Sequence, residues 1–107
     1  EVCSIYLLRD GALELFATRG LKQEAVHVTR LGMGEGLVGT IAERIEMLNL
    51  DEAAAHPDFV YRPETGEDLY HSFAGVPIIR RERAVGVLCV QHVDPRRYDD
   101  IEIETLQ

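Results

Sequence analysis

The chain has 107 residues and a mass of 12.0 kDa, enough for one small domain and too few for two. A hydrophobic content of 46% supports a core and excludes disorder, and no apolar run approaches the roughly 20 residues a membrane-crossing helix needs. Eleven basic residues against 19 acidic ones give a net charge of −8, which repels phosphate backbones and leaves no basic patch for acidic lipids, so neither nucleic acid nor membrane is expected as a partner.

Residues 2–8, Val-Cys-Ser-Ile-Tyr-Leu-Leu, are apolar and β-branched enough for a buried strand. Asp10-Gly11 is a strong hairpin turn. Residues 12–18 alternate behind it, with Leu13, Leu15 and Ala17 on one face, so the chain opens with an antiparallel hairpin. A polar stretch through Gly20 precedes a short strand expected at 27–31. The run Gly32-Met33-Gly34-Glu35-Gly36 leads into a helix over 37–45, where Leu37, Val38, Ile41 and Ile45 fall at helical spacing and Glu43 and Arg44 lie opposite them. Met47 to Leu50 reads as a short strand.

Residues 51–71 do not read as a strand. A helical turn at 51–56 is stopped by Pro57, and an irregular stretch succeeds it. Such a length of irregular chain inside a compact domain is characteristic of lids, binding loops or linkers. Phe59, Tyr61, Tyr70 and Phe73, in or next to it, favour a lid, because aromatic rings need something to pack on. Pro63-Glu64-Thr65-Gly66-Glu67 supplies a turn with a glycine hinge. Two strands come next, at 72–79 and 84–93, joined by Arg80-Arg81-Glu82-Arg83. The second is apolar on both faces and is therefore expected at the sheet centre beside residues 2–8, while Pro77 demands an edge or a bulge. Asp99 with Glu102 resembles a helix start, with Ile101, Ile103 and Leu106 behind it. The chain begins inside a strand-like run and ends inside a helix-like one, as a piece of a longer polypeptide would. The order is α+β with an antiparallel sheet.

Little in this chain assembles chemistry. Cys3 and Cys89 sit in apolar runs and are expected to be buried thiols of a reducing, cytoplasmic compartment. Gly34-Glu35-Gly36-Leu37-Val38-Gly39 matches the dinucleotide fingerprint G-x-G-x-x-G. That fingerprint requires a βαβ unit, which the later hairpin strands do not provide, so the glycines are expected to make a tight turn and helix start and to hold no phosphate. His27, His56, His71 and His92 lack a second ligand at metal spacing, so no metal site is expected, and no nucleophile–base set is framed by the sequence, so no catalytic residue is expected either. For a small polar ligand the candidate polar groups are Asn49, Thr65, Tyr70 and Ser72. Phe59, Tyr61 and Phe73 would form the apolar wall, with Arg62 as the nearest cation.

Several of these residues carry a family resemblance. Residues 31–39 (Leu-Gly-Met-Gly-Glu-Gly-Leu-Val-Gly), Leu48-Asn49-Leu50, Phe73-Ala74-Gly75-Val76-Pro77-Ile78 and Val85-Gly86-Val87-Leu88 together resemble a GAF domain. The resemblance covers residues 1–107 as one such domain, less the first helix and most of the last, so truncation at both terminal helices is expected. His56-Pro57-Asp58-Phe59, Tyr61, the Pro-Glu-Thr-Gly-Glu stretch and Tyr70 resemble more narrowly the amino-terminal GAF domains of phosphoenolpyruvate–protein phosphotransferases of the nitrogen phosphotransferase system.

The resemblance, rather than composition or spacing, implies a fold and a role. The fold would be GAF-like and PAS-related, a central antiparallel sheet of five to six strands with flanking helices on one face and a ligand pocket under loops on the other. By the same resemblance the domain would sense nitrogen-status metabolites such as glutamine or 2-oxoglutarate, and would work as a homodimer. The parent enzyme, with magnesium, would pass phosphate from phosphoenolpyruvate to its own histidine and on to a phosphocarrier protein. That histidine comes after Gly-Gly-x-x-Ser in the family, and neither His71 after Leu69-Tyr70 nor His92 after Val90-Gln91 has this context, so this chain is expected to be non-catalytic. The alternatives are a structural or dimerising module without a ligand, and the sensory GAF domain of a nitrogen-fixation transcription activator.

Overall fold

The computed structural model describes residues 2–57 and 72–92. The helix expected from Asp99 and nearly all of the 57–71 segment lie outside the described residues. Among the described residues six strands form one sheet in the order β3-β2-β1-β6-β5-β4. They are β1 (Val2–Arg9), β2 (Ala12–Arg19), β3 (Arg30–Gly32), β4 (Leu48–Leu50), β5 (Ser72–Arg80) and β6 (Arg83–His92). The helix α1 (Gly36–Arg44) connects β3 to β4. Every pairing is antiparallel, and β1 and β6 are the central neighbours flanked by β2 and β5, as the two-sided apolar pattern of their sequences requires.

Turn chemistry sets the two long hairpins. Asp10 and Gly11 adopt φ of 51° and 79°, the left-handed pair that a two-residue turn between right-twisted strands needs. Arg81 and Glu82 do the same at 53° and 66° without a glycine, a cost of about 1–2 kcal/mol per residue that the long β5–β6 ladder offsets. Pro77 satisfies both of its constraints: β4 reaches only as far as Gly75, and the register slips just beyond, between Ile78 and Ile79.

One face of the sheet carries the core. Tyr6, Leu13, Leu15, Phe73, Val87 and Cys89 meet Leu37, Val38, Ile41 and Ala42 of α1 in a single buried cluster. Each buried leucine, valine, isoleucine or phenylalanine among them contributes roughly 1.5–3 kcal/mol by leaving water. The opposite face holds a smaller cluster of Ala74 and Val76 with Leu88 and Val90 against it. Ala53, in the 3₁₀ turn Ala53–Ala55 after β4, is also part of the core cluster. The helix and the start of the 51–71 segment therefore share one face, rather than dividing the two faces between them.

Four sequence expectations change. A register shift opposite Ile5 and Tyr6 places Phe16 in a bulge, so the alternation of β2 reverses: Leu13 and Leu15 face the core, Ala17 faces out and Thr18 faces in. The strand expected at 27–31 shortens to Arg30–Gly32, because His27 takes a φ of 66° and donates its N–H to the Leu15 carbonyl. Ile45 leaves the helix as its left-handed cap at φ 55° and is largely exposed. Cys89 is buried but Cys3 is exposed, since Cys3 pairs with Val90 on the outer face while Cys89 pairs with Ser4 on the inner one. Facing opposite sides, the two sulfurs form no disulfide. A thiol reagent on the native protein is expected to modify Cys3 and to reach Cys89 only after unfolding, which peptide mass spectrometry reads directly.

At the β2–β3 edge, the Glu14 carboxylate accepts a 2.7 Å hydrogen bond from His27 Nδ1 and lies 3.5 Å from Arg9 and 3.7 Å from Arg30. The His27 hydrogen bond first, and then the Arg9 and Arg30 charges, hold this carboxyl below its ordinary 4.5 against the opposing effect of burial. The folded state therefore binds this proton more weakly than the unfolded chain. The stabilisation is fully present above pH 4.5 and is lost as pH falls through the lower folded value. Urea unfolding of wild type and Glu14→Gln is expected to differ at pH 7 and to converge as the solution is acidified.

Candidate functional site

Paired residues on neighbouring strands share a face, so the register orders the inner surface into rows. One row runs Val2, Gln91, Phe73, Leu50 across β1, β6, β5 and β4. The next runs Thr18, Ser4, Cys89, Gly75, Leu48, a line of mostly small side chains. Within these rows lies the polar content of an otherwise apolar core face. Ser4 is 1% exposed and its hydroxyl lies 2.8 Å from that of Thr18, while Gln91 is 4% exposed. Sequence reasoning passed over all three. The signal was present, because Ser4 and Gln91 are polar residues within two strands read as central and apolar, and Thr18 surfaces only once the Phe16 bulge is known.

Of the ligand-contacting candidates, Asn49, Ser72 and Phe73 are described, and Phe59, Tyr61, Arg62, Thr65 and Tyr70 lie outside the described residues. The structure separates the three. Phe73 belongs to the inner cluster, whereas Asn49 pairs with Ala74 on the outer face and Ser72, one residue from Phe73, takes that face as well. Ser72 is buried there, its hydroxyl donating to the His92 carbonyl at 3.3 Å. Strand alternation thus puts Asn49 and Ser72 on the opposite face of the sheet from Phe73.

The glycine fingerprint has a structural cause at each position. Gly34 and Gly36 take φ of 82° and 70°. Gly39 lies so close to the turn that a Cβ on it would sit 2.4 Å from the Gly32 carbonyl oxygen. The amides of Gly34 and Glu35, which a phosphate would need, already donate to the carbonyls of Gly39 and Gly32 at 2.9 and 3.0 Å. The Glu35 carboxylate closes the turn by accepting from the Gly32 amide at 3.0 Å and adds a negative charge where an anion would enter. Among the described residues no three His, Cys, Asp or Glu side chains converge as a metal site. No helix there is long and apolar enough to cross a membrane.

Residues 1–107 match the family model of the GAF domain. A curated phosphoenolpyruvate-dependent phosphotransferase system protein of Escherichia coli (strain K12) is 42% identical over 104 residues, covering 95% of this chain and 14% of the relative. A Nif-specific regulatory protein of Herbaspirillum seropedicae is 34% identical over 106 residues, covering 94% of this chain and 20% of that protein. The solved GAF domain of a phosphoenolpyruvate-protein phosphotransferase from Coxiella burnetii superimposes with a TM-score of 0.89 at 39% identity, over 96% of this chain and 62% of the other. The chain thus spans only a small part of the curated relatives it matches.

Proposed function

The chain belongs to the GAF domain family, and from that premise we propose that it is the regulatory, small-molecule-sensing module of a cytoplasmic phosphoenolpyruvate–protein phosphotransferase. The observation that carries this reading is the lopsided match to the Escherichia coli relative: 95% of this chain aligns with 14% of a phosphotransferase system protein. The remaining length of such a protein is ample for the phosphoryl chemistry, and this chain contributes no assembled nucleophile and base among its described residues. The Nif-regulator reading has weaker support, at 34% identity.

The metabolites in view are glutamine and 2-oxoglutarate, with the inner face around Phe73 as the binding side and Phe59, Tyr61, Arg62, Thr65 and Tyr70 as the further contacts. A metabolite that binds one arrangement of the domain better than another biases the parent enzyme by that difference in affinity and by no more. In this reading the parent enzyme, a homodimer using magnesium, passes phosphate to a phosphocarrier protein at a rate the domain sets. Replacing Tyr70 by alanine is expected to weaken metabolite binding by about 1–3 kcal/mol, the loss of a ring contact and a hydroxyl hydrogen bond. The functional test is phosphate uptake from phosphoenolpyruvate by the full-length protein. One metabolite is expected to change the rate in wild type and to need a higher concentration in Tyr70→Ala. A wild-type rate indifferent to both metabolites would refute the sensing role.

A further inference from the structure

Gln91 is the anomaly of the inner face. It sits on the central strand β6 between Val2 of β1 and Phe73 of β5, and only 4% of its surface meets solvent. A carboxamide offers two N–H donors and a carbonyl acceptor. No side-chain hydrogen bond joins Gln91 to another described residue, although Ser4 and Thr18, next to it in the face, satisfy each other at 2.8 Å. Buried polar groups without partners are rare in folded proteins and costly, so the position asks for a partner that the described chain does not supply.

The surroundings define that partner's chemistry. The strand positions sharing this face on β1, β6 and β5 carry no lysine, arginine or histidine, so the strands beside Gln91 offer a carboxylate no counter-charge. A neutral group with a donor and an acceptor side by side would be matched in full. We propose that Gln91 is a specificity-determining residue which reads the primary carboxamide of a small ligand through a reciprocal pair of amide hydrogen bonds. The Ser4–Thr18 hydroxyl pair forms the polar floor beside it. This rests on the sensing role proposed above and adds to it which chemical end of the metabolite enters the sheet face and which residue selects it. Sites that hydrogen-bond a polar substituent discriminate strongly against analogues without it, because the site's own groups are then left unpaired.

The test uses the full-length protein with Gln91→Leu and, as a second apolar replacement of similar length, Gln91→Met. Thermal melting and calorimetric titration are read with L-glutamine, L-glutamate and 2-oxoglutarate as probes. Wild type is expected to bind L-glutamine at least about tenfold more tightly than either acidic probe, and both variants are expected to lose about tenfold or more of the L-glutamine affinity. Without ligand, the variants are expected to melt at or above the wild-type temperature, since each replaces a buried amide that no described residue satisfies by apolar atoms. Three results would overturn the assignment while leaving sensing intact: L-glutamine affinity within about threefold of wild type in both variants, wild type preferring an acidic probe, or ligand-free melting of both variants well below wild type. Failure of wild type to bind any of the three probes would instead remove the sensing reading, and this inference with it.

Discussion

Replacing Gly39 by alanine is expected to destabilise the domain by about 3 kcal/mol or more, at the upper end of overpacking costs. Intrinsic helix propensity argues the other way, since alanine inside a helix is favoured over glycine by about 1 kcal/mol. Packing wins because the nearest obstacles are backbone atoms. A Cβ at Gly39 would lie 2.4 Å from the Gly32 oxygen and 3.1 Å from the Gly34 nitrogen, and neither atom can rotate away as a side chain would. The helix would have to withdraw from the glycine-rich turn, breaking the 2.9 Å hydrogen bond from the Gly34 amide to the Gly39 carbonyl and lifting Leu37 and Val38 from the core. A loss of this size corresponds to a fall in melting temperature of roughly 12 °C or more for a domain of this length. Gly32→Ala is the control: a Cβ there meets nothing within 4 Å, so its effect is expected to stay within about 0.5 kcal/mol.

Ile41→Ala is expected to cost about 2–5 kcal/mol, the range for emptying a fully buried aliphatic position. Ile41 is 0% exposed, and its Cδ1 occupies the space above Gly75, where a Cβ would come within 2.7 Å of it. The pair interlocks: the missing side chain on β5 makes room for the helix residue, and the helix residue fills the gap. A double-mutant cycle tests this. Gly75→Ala alone is expected to be destabilising, because it strikes Ile41 and the Phe73 ring. In the Ile41→Ala background the same change loses one obstacle and partly refills the cavity, so the two substitutions together are expected to cost less than the sum of the singles. Chemical denaturation of the four proteins gives the coupling, expected at about 0.5–3 kcal/mol for residues in contact.

The sheet was legible in the sequence to the extent that hydrophobic patterning and turn chemistry are local. The apolar runs at 2–8 and 84–93 and the Asp10-Gly11 turn were enough to centre β1 and β6 and to place their hairpin partners. The failures share a cause, which is that strand phase is not a local property. One bulge at Phe16 reverses which residues of β2 face inward, turning Ala17 out and Thr18 in, and no composition rule marks a bulge at a phenylalanine. Parity likewise separates Cys3 from Cys89 and Ser72 from Phe73, where one position of offset decides exposure or face. The missing βαβ context was enough to set the glycine fingerprint aside, while the close approach that requires Gly39 is a tertiary fact. Ser4 and Gln91 escape a reading by pattern because the polar, aromatic segment after β4 outweighs two polar residues interrupting the central strands.

The sensing role is tested most directly by calorimetric titration of the full-length protein with L-glutamine and, separately, with 2-oxoglutarate at concentrations up to the millimolar range. Saturable heat with one of the two, at one site per chain and weakened in Tyr70→Ala, is the expected result. An absence of binding heat with both metabolites would contradict it, whereas saturable heat with unchanged affinity in Tyr70→Ala would remove only Tyr70 from the contacts.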